Sequence, residues 1–316
     1  MSRPARRERS LLATPGSDPR MIGKALASDA DVVMLDLEDA VAPAEKPAAR
    51  ATVAAALRDG DWRGRPRCFR MNALDTVWWY RDLVEVVEAA GPAVDLIVVP
   101  KVDHPSQVTT VATLLTAIEA AVGVPAPIGL ELQVETAAGA LDALAIARAS
   151  GRAEAMVFGP GDFAASAGMP LAAIGMPDDW DAAYPGHRFG YPMQQVVLAA
   201  RAAGLRAIDG PFADFRDADG FRRSARVARA LGFDGKWCIH PAQVALANDT
   251  FSPGEAEVAW ARRVLAATAE AHREGRGAAT LDGRMIDGAS ARMAEATLAR
   301  LPDPTACPPV TLGETR

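Results

Sequence analysis

Three acidic residues end the second predicted strand, in the order Asp36, Glu38 and Asp39. Because side chains alternate along a strand, Asp36 and Glu38 share one face, and Asp39 lies on the turn beyond. Carboxylates this close repel one another unless a cation or an arginine lies among them. The simple explanation is a helix cap at Asp39 and two solvent-facing acids. An acidic run directly after apolar residues 32–35 favours a functional role instead.

The third predicted strand carries Arg70 and Asn72 on one face. A guanidinium at a strand end can bind a carboxylate through two hydrogen bonds or stabilise an enolate oxygen. Alternatively, Arg70 only neutralises the acids of the second strand. The two roles are compatible, since the acids would also orient the arginine.

Carboxylates also end two later strands. Strand five carries Glu131, Gln133 and Glu135 on one side, and Asp162 follows strand six within a Gly-Pro-Gly-Asp segment. Mg²⁺ prefers a few protein oxygens and keeps several positions open for water and substrate. The glycines around Asp162 would also let backbone amides approach a bound anion. Either acid alone suggests a structural role, but the pair on adjacent strands predicts a magnesium site.

Three further polar residues are weaker candidates. His240, at the end of strand eight, could be a base or a buried hydrogen-bonding group. The four histidines show no HxH or HExxH spacing, which disfavours a zinc site. For Asp209 after strand seven we predict a helix cap, and for Asp287 in the C-terminal region a solvent-facing cap is the default.

Short apolar, β-branched runs alternate along the chain with Ala-rich stretches of helical period. Strands are predicted at residues 10–14, 31–37, 67–71, 95–99, 128–134, 155–158, 205–208 and 236–239. Helices are predicted at residues 19–28, 47–58, 76–90, 105–122, 139–150, 192–203 and 217–231. Eight strands with crossover helices predict the α/β class and a closed (β/α)8 TIM barrel. A doubly wound open sheet is the rival, but no GxGxxG or GKS/T loop follows the first strand.

The chain of 316 residues is longer than the ~250 residues of a typical barrel of this kind. We predict a catalytic barrel at residues 1–252 and an all-helical extension at residues 253–316, which acts as a lid or as an arm exchanged between subunits. Residues 168–191 form a long segment after strand six. Long loops at this face of a barrel are usually functional.

Composition excludes several classes of protein. The net charge of −6 disfavours a general nucleic-acid-binding surface. The cysteines Cys68, Cys238 and Cys307 form no CxxC pair, which disfavours a disulfide framework or a zinc site. No apolar run approaches the ~20 residues that span a bilayer, and the basic N-terminus lacks a signal-peptide core. We therefore expect a cytoplasmic protein that binds small molecules and neither nucleic acid nor membrane.

A series of different short motifs extends along the chain from Arg9 to about Leu301. They are Arg9-Ser10-Leu11-Leu12-Ala13-Thr14-Pro15-Gly16, Leu35-Asp36-Leu37-Glu38-Asp39-Ala40-Val41, Arg70-Met71-Asn72, Val99-Pro100-Lys101, Val134-Glu135-Thr136-Ala137-Ala138-Gly139, Phe158-Gly159-Pro160-Gly161-Asp162, Ala207-Ile208-Asp209-Gly210-Pro211, Gly235-Lys236-Trp237-Cys238-Ile239-His240-Pro241 and Gly283-Arg284-Met285-Ile286-Asp287. In their order and spacing the chain resembles CoA-ester lyases of the HpcH/HpaI aldolase and citrate lyase β-subunit superfamily. The similar branch is that of the malyl-CoA and β-methylmalyl-CoA lyases.

This resemblance implies a (β/α)8 barrel that assembles as a homotrimer or hexamer. It implies Mg²⁺, with Mn²⁺ as an alternative, on Glu135 and Asp162. Arg70 would be the active-site arginine, oriented by Glu38 or Asp39, and a CoA thioester would be the substrate.

The resemblance also assigns a role to the C-terminal region, where Asp287 would be a catalytic acid delivered into the site of a neighbouring subunit. Arg20 and Lys24 are the basic residues available near the N-terminal strand to bind CoA. The distant class II pyruvate aldolases have a histidine where this chain has Asp39. That difference favours the CoA-ester branch over histidine-assisted aldolase chemistry.

The implied reaction cleaves or forms a 3-hydroxyacyl-CoA such as L-malyl-CoA or β-methylmalyl-CoA, with glyoxylate and acetyl-CoA or propionyl-CoA as the products of cleavage. A (3S)-malyl-CoA thioesterase would use the same residues with water as the nucleophile. A citrate lyase β-subunit-like enzyme would cleave a citryl or citramalyl thioester, but residues 168–191 and the extended tail disfavour that shorter form. A non-catalytic CoA-binding scaffold is disfavoured by the joint presence of Arg70, Glu135, Asp162 and Asp287.

Overall fold

Eight parallel strands form a closed barrel in the computed structural model, which describes residue 4 and residues 6–184 and 186–301. The strands are β1 Ser10–Pro15, β2 Val32–Asp36, β3 Arg67–Arg70, β4 Leu96–Val99, β5 Gly129–Val134, β6 Ala153–Phe158, β7 Arg206–Asp209 and β8 Gly235–Cys238. Consecutive strands pair in sequence order, and β8 closes the ring by pairing with β1. The predicted α/β class and TIM barrel are therefore confirmed.

Helices connect the strands on the outside of the barrel, as the crossover rule for parallel strands requires. They are α1 Pro19–Leu26, α2 Lys46–Asp59, α3 Trp79–Ala90, α4 Pro105–Val122, α5 Ala137–Leu141, α6 Ala143–Arg148, α7 Pro160–Ser166, α8 Asp179–Ala183, α9 Gly190–Ala202, α10 Ala218–Leu231 and α11 Pro241–Phe251. The single helix predicted at residues 139–150 is two short helices in the structure, α5 and α6. The long segment after strand six contains the short helix α8.

Alternate residues of each strand face two different apolar layers. The inner layer fills the barrel and consists of Leu11, Val32, Met34, Cys68, Leu96, Val98, Ala155, Val157, Ile208 and Trp237. The intervening residues, such as Val33 and Leu35, pack against the helices. Asp36 continues the inward series of Val32 and Met34, so the strand period itself directs this acid into the mouth of the barrel.

The C-terminal unit begins after Phe251, where the chain divides into two compact parts. It contains helices α12 Glu255–Arg273 and α13 Gly288–Leu298. The prediction of an all-helical extension was wrong, because β9 Ala279–Leu281 and β10 Arg284–Ile286 form an antiparallel hairpin. The turn between these strands is Asp282-Gly283, and both residues have positive φ. That dipeptide between short apolar runs is a strong hairpin signal.

The described residues contain no helix that is both long and apolar enough to cross a bilayer. Cys68 and Cys238 are free and buried, whereas Cys307 lies outside the described residues.

A buried charged cluster lies in the barrel unit at the opposite ends of the strands from the acidic motif. Arg206 Nε contacts Glu8 Oε2 at 2.9 Å, and Arg206 Nη2 contacts Glu131 Oε1 at 3.2 Å. Arg6 Nε contacts Glu154 Oε2 at 2.8 Å. Glu8 Oε1 and Glu131 Oε2 receive no hydrogen bond from a donor among the described residues. The two carboxyl groups face each other, and burial raises the pKa of both. One shared proton between them would satisfy both oxygens.

Replacing Glu131 by Gln should make the unfolding free energy less sensitive to pH. Because burial raises the pKa of Glu8 and Glu131, the folded protein holds a proton that the unfolded chain releases above its ordinary acid range. Stability therefore falls as pH rises past that range. The melting temperature of Glu131→Gln, followed by circular dichroism, should improve relative to the wild type between roughly pH 5 and pH 8.

Glu119→Gln is the control, since it removes the ion-pair partner of Arg152 outside this cluster and should lower the melting temperature at both pH values alike. The same pH dependence in Glu131→Gln and wild type would contradict the shared proton.

Candidate active site

A cavity of about 420 Å³ opens at the mouth of the barrel, where the carboxyl ends of the strands meet. It is lined by Ala13, Thr14, Pro15, Met21, Asp36, Asp39, Ala40, Arg70, Gln133, Glu135, Gly159, Pro160, Gly161, Asp162, Ile174, Pro211, Trp237 and Ile239. Strands β1, β2, β3, β5 and β8 and helix α7 all contribute to it. The structure therefore brings Asp39, Arg70, Glu135 and Asp162 to one cavity.

Arg70 is the central cation of the mouth. Its Nε and Nη2 donate to Asp36 Oδ1 and Oδ2 at 2.7 and 2.5 Å, a two-point contact across neighbouring strands. Its Nη1 lies 2.7 Å from Glu38 Oε2, an ion pair without good hydrogen-bond alignment. The guanidinium also lies over the indole ring of Trp237, at 5.3 Å from its centroid.

The partner that fixes Arg70 differs from the predicted one. Asp36 makes the two-point contact, Glu38 makes a single contact, and Asp39 Oδ2 is 3.9 Å from Arg70 Nη1. The orientation by Glu38 or Asp39 is thus corrected to orientation chiefly by Asp36. Register explains this, because Asp36 pairs directly with Arg70 across β2 and β3.

The opposite charges of Asp36 and Arg70 keep both side chains ionised despite their burial. Burial raises the pKa of Asp36, but the charge and hydrogen bonds of Arg70 outweigh it, so the pKa lies below its ordinary value. For Arg70 burial lowers the pKa, and Asp36 with Glu38 more than reverses this effect. Glu38 differs, since burial and the neighbouring charge of Asp39 leave its pKa raised in spite of Arg70.

Glu135 is a buried carboxylate held by two hydrogen bonds. Its Oε1 accepts from the backbone N–H of Lys101 at 2.8 Å, and its Oε2 accepts from Gln133 Nε2 at 2.6 Å. Gly159 leaves the space for this side chain, because a Cβ there would lie 2.4 Å from Glu135 Oε2. Burial, with the charges of Glu38 and Asp162, raises the pKa of Glu135 to about 8, against the opposing effect of Arg70.

Asp162 lies in the first turn of α7, and its side chain is 43% exposed at the mouth. Its charge acts on Glu135, so the two predicted metal ligands are close enough to repel each other. A divalent cation between them would remove this repulsion. No group of three or more Asp, Glu, His or Cys residues suited to a metal occurs in the described part of the chain. Two carboxylates beside an open cavity fit Mg²⁺, which keeps positions for water and substrate oxygens.

Lys101 is a site residue that the sequence analysis did not single out. Its Nζ donates to Glu38 Oε1 at 2.5 Å and lies 3.5 Å from Asp39 Oδ1 and 3.8 Å from Asp162 Oδ1. Its φ of 49° is in the left-handed region, which is uncommon for a residue with a side chain. The position after the β4 end, within Val99-Pro100-Lys101, was the available signal.

Arg20 and Lys24 lie one turn apart on the exposed surface of α1. Met21 between them lines the mouth cavity, so this helix borders the site. The assignment of CoA to these two cations remains a prediction.

Asp287 lies in the C-terminal unit as the N-cap of α13, which is the default that its sequence suggested. Its Oδ1 accepts from the backbone N–H groups of Ala289 and Ser290 at 2.9 and 3.1 Å. These hydrogen bonds hold the pKa of Asp287 below its ordinary value. The catalytic role of Asp287 remains a prediction.

The remaining two candidates from the sequence are Asp209 and His240. The predicted helix cap at Asp209 was wrong: it ends β7, is buried, and accepts from Lys236 Nζ at 2.5 Å. Asp217 caps the following helix α10 instead. His240 is exposed and stacks on Phe215 at 4.5 Å between ring centroids.

Comparison with known proteins identifies relatives that match most of this chain. The family model described as HpcH/HpaI aldolase/citrate lyase matches residues 9–241. An L-malyl-CoA/β-methylmalyl-CoA lyase of Rhodobacter capsulatus is 45% identical over 298 residues, covering 92% of this chain and 94% of that protein. A (3S)-malyl-CoA thioesterase of Cereibacter sphaeroides is 39% identical over 292 residues with the same coverage of each chain.

A solved structure shares the architecture. CitE from Mycobacterium tuberculosis, in complex with magnesium, acetoacetate and coenzyme A, superposes with a TM-score of 0.74 and 33% sequence identity. The match covers 93% of this chain and 98% of that chain.

Replacing Lys101 by Met should lower stability and increase the response to Mg²⁺. Glu38 is buried and would lose one of its two cationic partners, a loss of about 1–2 kcal/mol in unfolding free energy. Added Mg²⁺ would offset the excess negative charge, so it should raise the melting temperature more in Lys101→Met than in the wild type. Thermal melts with and without Mg²⁺ measure both effects.

Lys24→Met is the control, because Lys24 is exposed on α1 and its replacement should leave the melting temperature unchanged. An unaltered melt of Lys101→Met would show that Lys101 does not stabilise the acidic cluster.

Proposed function

Since the chain belongs to the HpcH/HpaI aldolase/citrate lyase family, we propose that it is a Mg²⁺-dependent carbon–carbon lyase acting on malyl-CoA-class thioesters. The substrates are L-malyl-CoA and β-methylmalyl-CoA, cleaved to glyoxylate and acetyl-CoA or propionyl-CoA, or formed from them. The observation that carries the proposal is the arrangement at the mouth, where a buried arginine lies in one cavity with two repelling carboxylates. Identity of 44–45% to lyases of this name over 92% of the chain supports it.

Glu135 and Asp162 would hold Mg²⁺, with Mn²⁺ as the alternative, and the ion would lower the pKa of the substrate hydroxyl and orient the adjacent carboxylate. Gln133 and the Lys101 amide keep Glu135 in place for this task. Asp162, on the first turn of a helix at the open edge of the cavity, is accessible to an ion that enters from solvent.

Arg70 would stabilise the negative charge that develops on the thioester oxygen. When the hydroxyl proton passes to water, the oxygen forms the carbonyl group of the 2-oxo acid, the carbon–carbon bond breaks, and its electron pair moves into the enolate of the thioester. Two of the five guanidinium N–H groups bind Asp36, and the guanidinium lines the cavity. Its fixed orientation means that little reorganisation is needed when charge appears, which is the basis of electrostatic catalysis.

Asp287 would protonate the enolate carbon in cleavage and remove that proton in condensation. We propose a homotrimer or hexamer in which the C-terminal arm brings Asp287 to the barrel of a neighbour. The organisation of this arm as a compact unit, with Asp287 directly after its hairpin, supports the idea. Arg20 and Lys24 would bind the phosphates of CoA from α1.

A (3S)-malyl-CoA thioesterase is the second candidate, favoured by the relative that is 39% identical. Product analysis separates the two reactions: a lyase releases glyoxylate and acetyl-CoA, whereas a thioesterase releases malate and free CoA. Testing citramalyl-CoA and a citryl thioester in the same assay addresses the citrate lyase β-subunit-like alternative. Mg²⁺-dependent exchange of the acetyl-CoA methyl protons with solvent would exclude a non-catalytic scaffold.

Glu135→Gln and Asp162→Asn should each lower the turnover number for L-malyl-CoA cleavage by about 10²–10³-fold. Each change removes a negatively charged oxygen ligand while keeping the shape of the side chain. Glyoxylate release in a coupled assay measures the loss, and melting curves should show a weaker stabilisation by Mg²⁺ in both variants. Glu88→Gln, on the exposed side of α3, is the control with normal activity. Full activity in Glu135→Gln would exclude it as a ligand.

Asp287→Asn should also lower cleavage by about 10²–10³-fold without disturbing the fold. Asparagine is as good an N-cap as aspartate, so α13 should persist while the proton donor is lost. Asp282→Asn, in the turn of the same hairpin, is the control that should retain activity.

Co-expression of Asp287→Asn with Glu135→Gln then tests delivery between subunits. If the arm serves a neighbour, about a quarter of the sites in random mixed oligomers combine an intact barrel with an intact Asp287, and activity returns. No recovery would show that Asp287 serves its own barrel or none.

A further inference from the structure

The lining of the mouth cavity contains charged side chains and apolar ones. Asp36, Arg70, Glu135 and Asp162 are charged, whereas Ile174 is apolar. Ile174 lies in the long segment after strand six, and its exposed fraction is 39%. A single exposed apolar residue is ordinary, but one that lines a cavity with these charged groups can contact a bound ligand.

Ile174 is adjacent to the proposed metal ligand Asp162. A Cβ added at Gly161 would lie 3.0 Å from Ile174 Cδ1, so this side chain lies against the backbone directly before Asp162. Ile174 and Asp162 both line the mouth cavity, so a small molecule bound there can contact both side chains.

The segment that carries Ile174 is firmly held. The Ile174 carbonyl accepts from Ala213 N–H at 2.9 Å. The next residue, Gly175, has φ of +72°, and a Cβ there would lie 2.4 Å from the Pro211 carbonyl oxygen. Arg188 donates to the Pro170 carbonyl at 2.8 Å from the other end of the segment. Because the backbone is fixed on both sides, Ile174 cannot withdraw without breaking these contacts.

We propose that Ile174 sets the largest substituent that the enzyme accepts on the carbonyl carbon of the 2-oxo acid. This inference rests on the proposed lyase function. A 2-oxo acid would bind the charged residues of the cavity through its carboxylate and oxo groups, which leaves its third substituent to contact the apolar side chain of Ile174. Glyoxylate presents a hydrogen there and pyruvate a methyl group. One such group in a fixed apolar pocket changes kcat/KM by about 10–200-fold.

Ile174→Val and Ile174→Ala should relax this limit in that order. The ratio of kcat/KM for citramalyl-CoA to that for L-malyl-CoA should rise by about tenfold or more in Ile174→Ala, with an intermediate rise in Ile174→Val. Calorimetric titration of the Mg²⁺-loaded protein with glyoxylate and pyruvate provides a readout without turnover. Pyruvate should bind more tightly to Ile174→Ala than to the wild type, and the affinity for glyoxylate should change by less.

Ile239→Ala is the matched control, since Ile239 is an exposed isoleucine of the same cavity on the segment after β8. It should change the values for both substrates alike and leave their ratio unaltered. An unchanged ratio and an unchanged pyruvate affinity in Ile174→Ala would overturn the proposal. A wild-type protein that cleaves neither thioester would refute the lyase function, whereas the titrations would still decide the role of Ile174.

Discussion

The paired contact between Arg70 and Asp36 is the constraint on which the mouth of the barrel depends. Asp36, Glu38 and Glu135 are all buried within a small volume, and burial alone would drive each towards its neutral form. A guanidinium that is always charged fixes Asp36 as an anion and partly compensates Glu38. Glu135, which lacks a direct cationic partner of this kind among the described residues, keeps a strongly raised pKa. Below that pKa Glu135 holds a proton when no cation is bound, so a metal ion bound at this carboxylate would displace a proton.

Much of this architecture follows from local sequence rules. The eight β-branched runs and the helices between them predict parallel strands with crossovers, and eight is the strand number of a TIM barrel. An open sheet stayed as the rival, because local sequence does not show closure. The inward position of Asp36 and Arg70 follows from the strand period of two. The gathering of Glu135 and Asp162 follows from the rule that barrel strands end at one mouth. Their geometry as metal ligands was an inference from type and spacing, and no sequence rule gives their separation.

Other features depend on tertiary contacts that local patterns do not encode. Lys101 enters the site through a left-handed backbone conformation and through acids that are distant in sequence. Asp209 resembles a helix cap in sequence, but its partner Lys236 comes from the next strand, so only the barrel register reveals the ion pair. The hairpin of the C-terminal unit was missed for a different reason, since three-residue strands are too short to show alternation and the Asp282-Gly283 turn was the only local signal for them.

The contact between Gly161 and Ile174 couples two positions that are thirteen residues apart in the chain. A Cβ at the glycine would require the end of the isoleucine side chain to shift by a few tenths of an ångström, and a larger side chain there would favour a smaller residue at position 174. The two sites should therefore vary together. Related enzymes that have diverged in the acids they accept are then expected to show compensating exchanges here, a small residue opposite a large one in either order. Directed evolution is then expected to gain more from randomising the two positions together than from randomising either one alone.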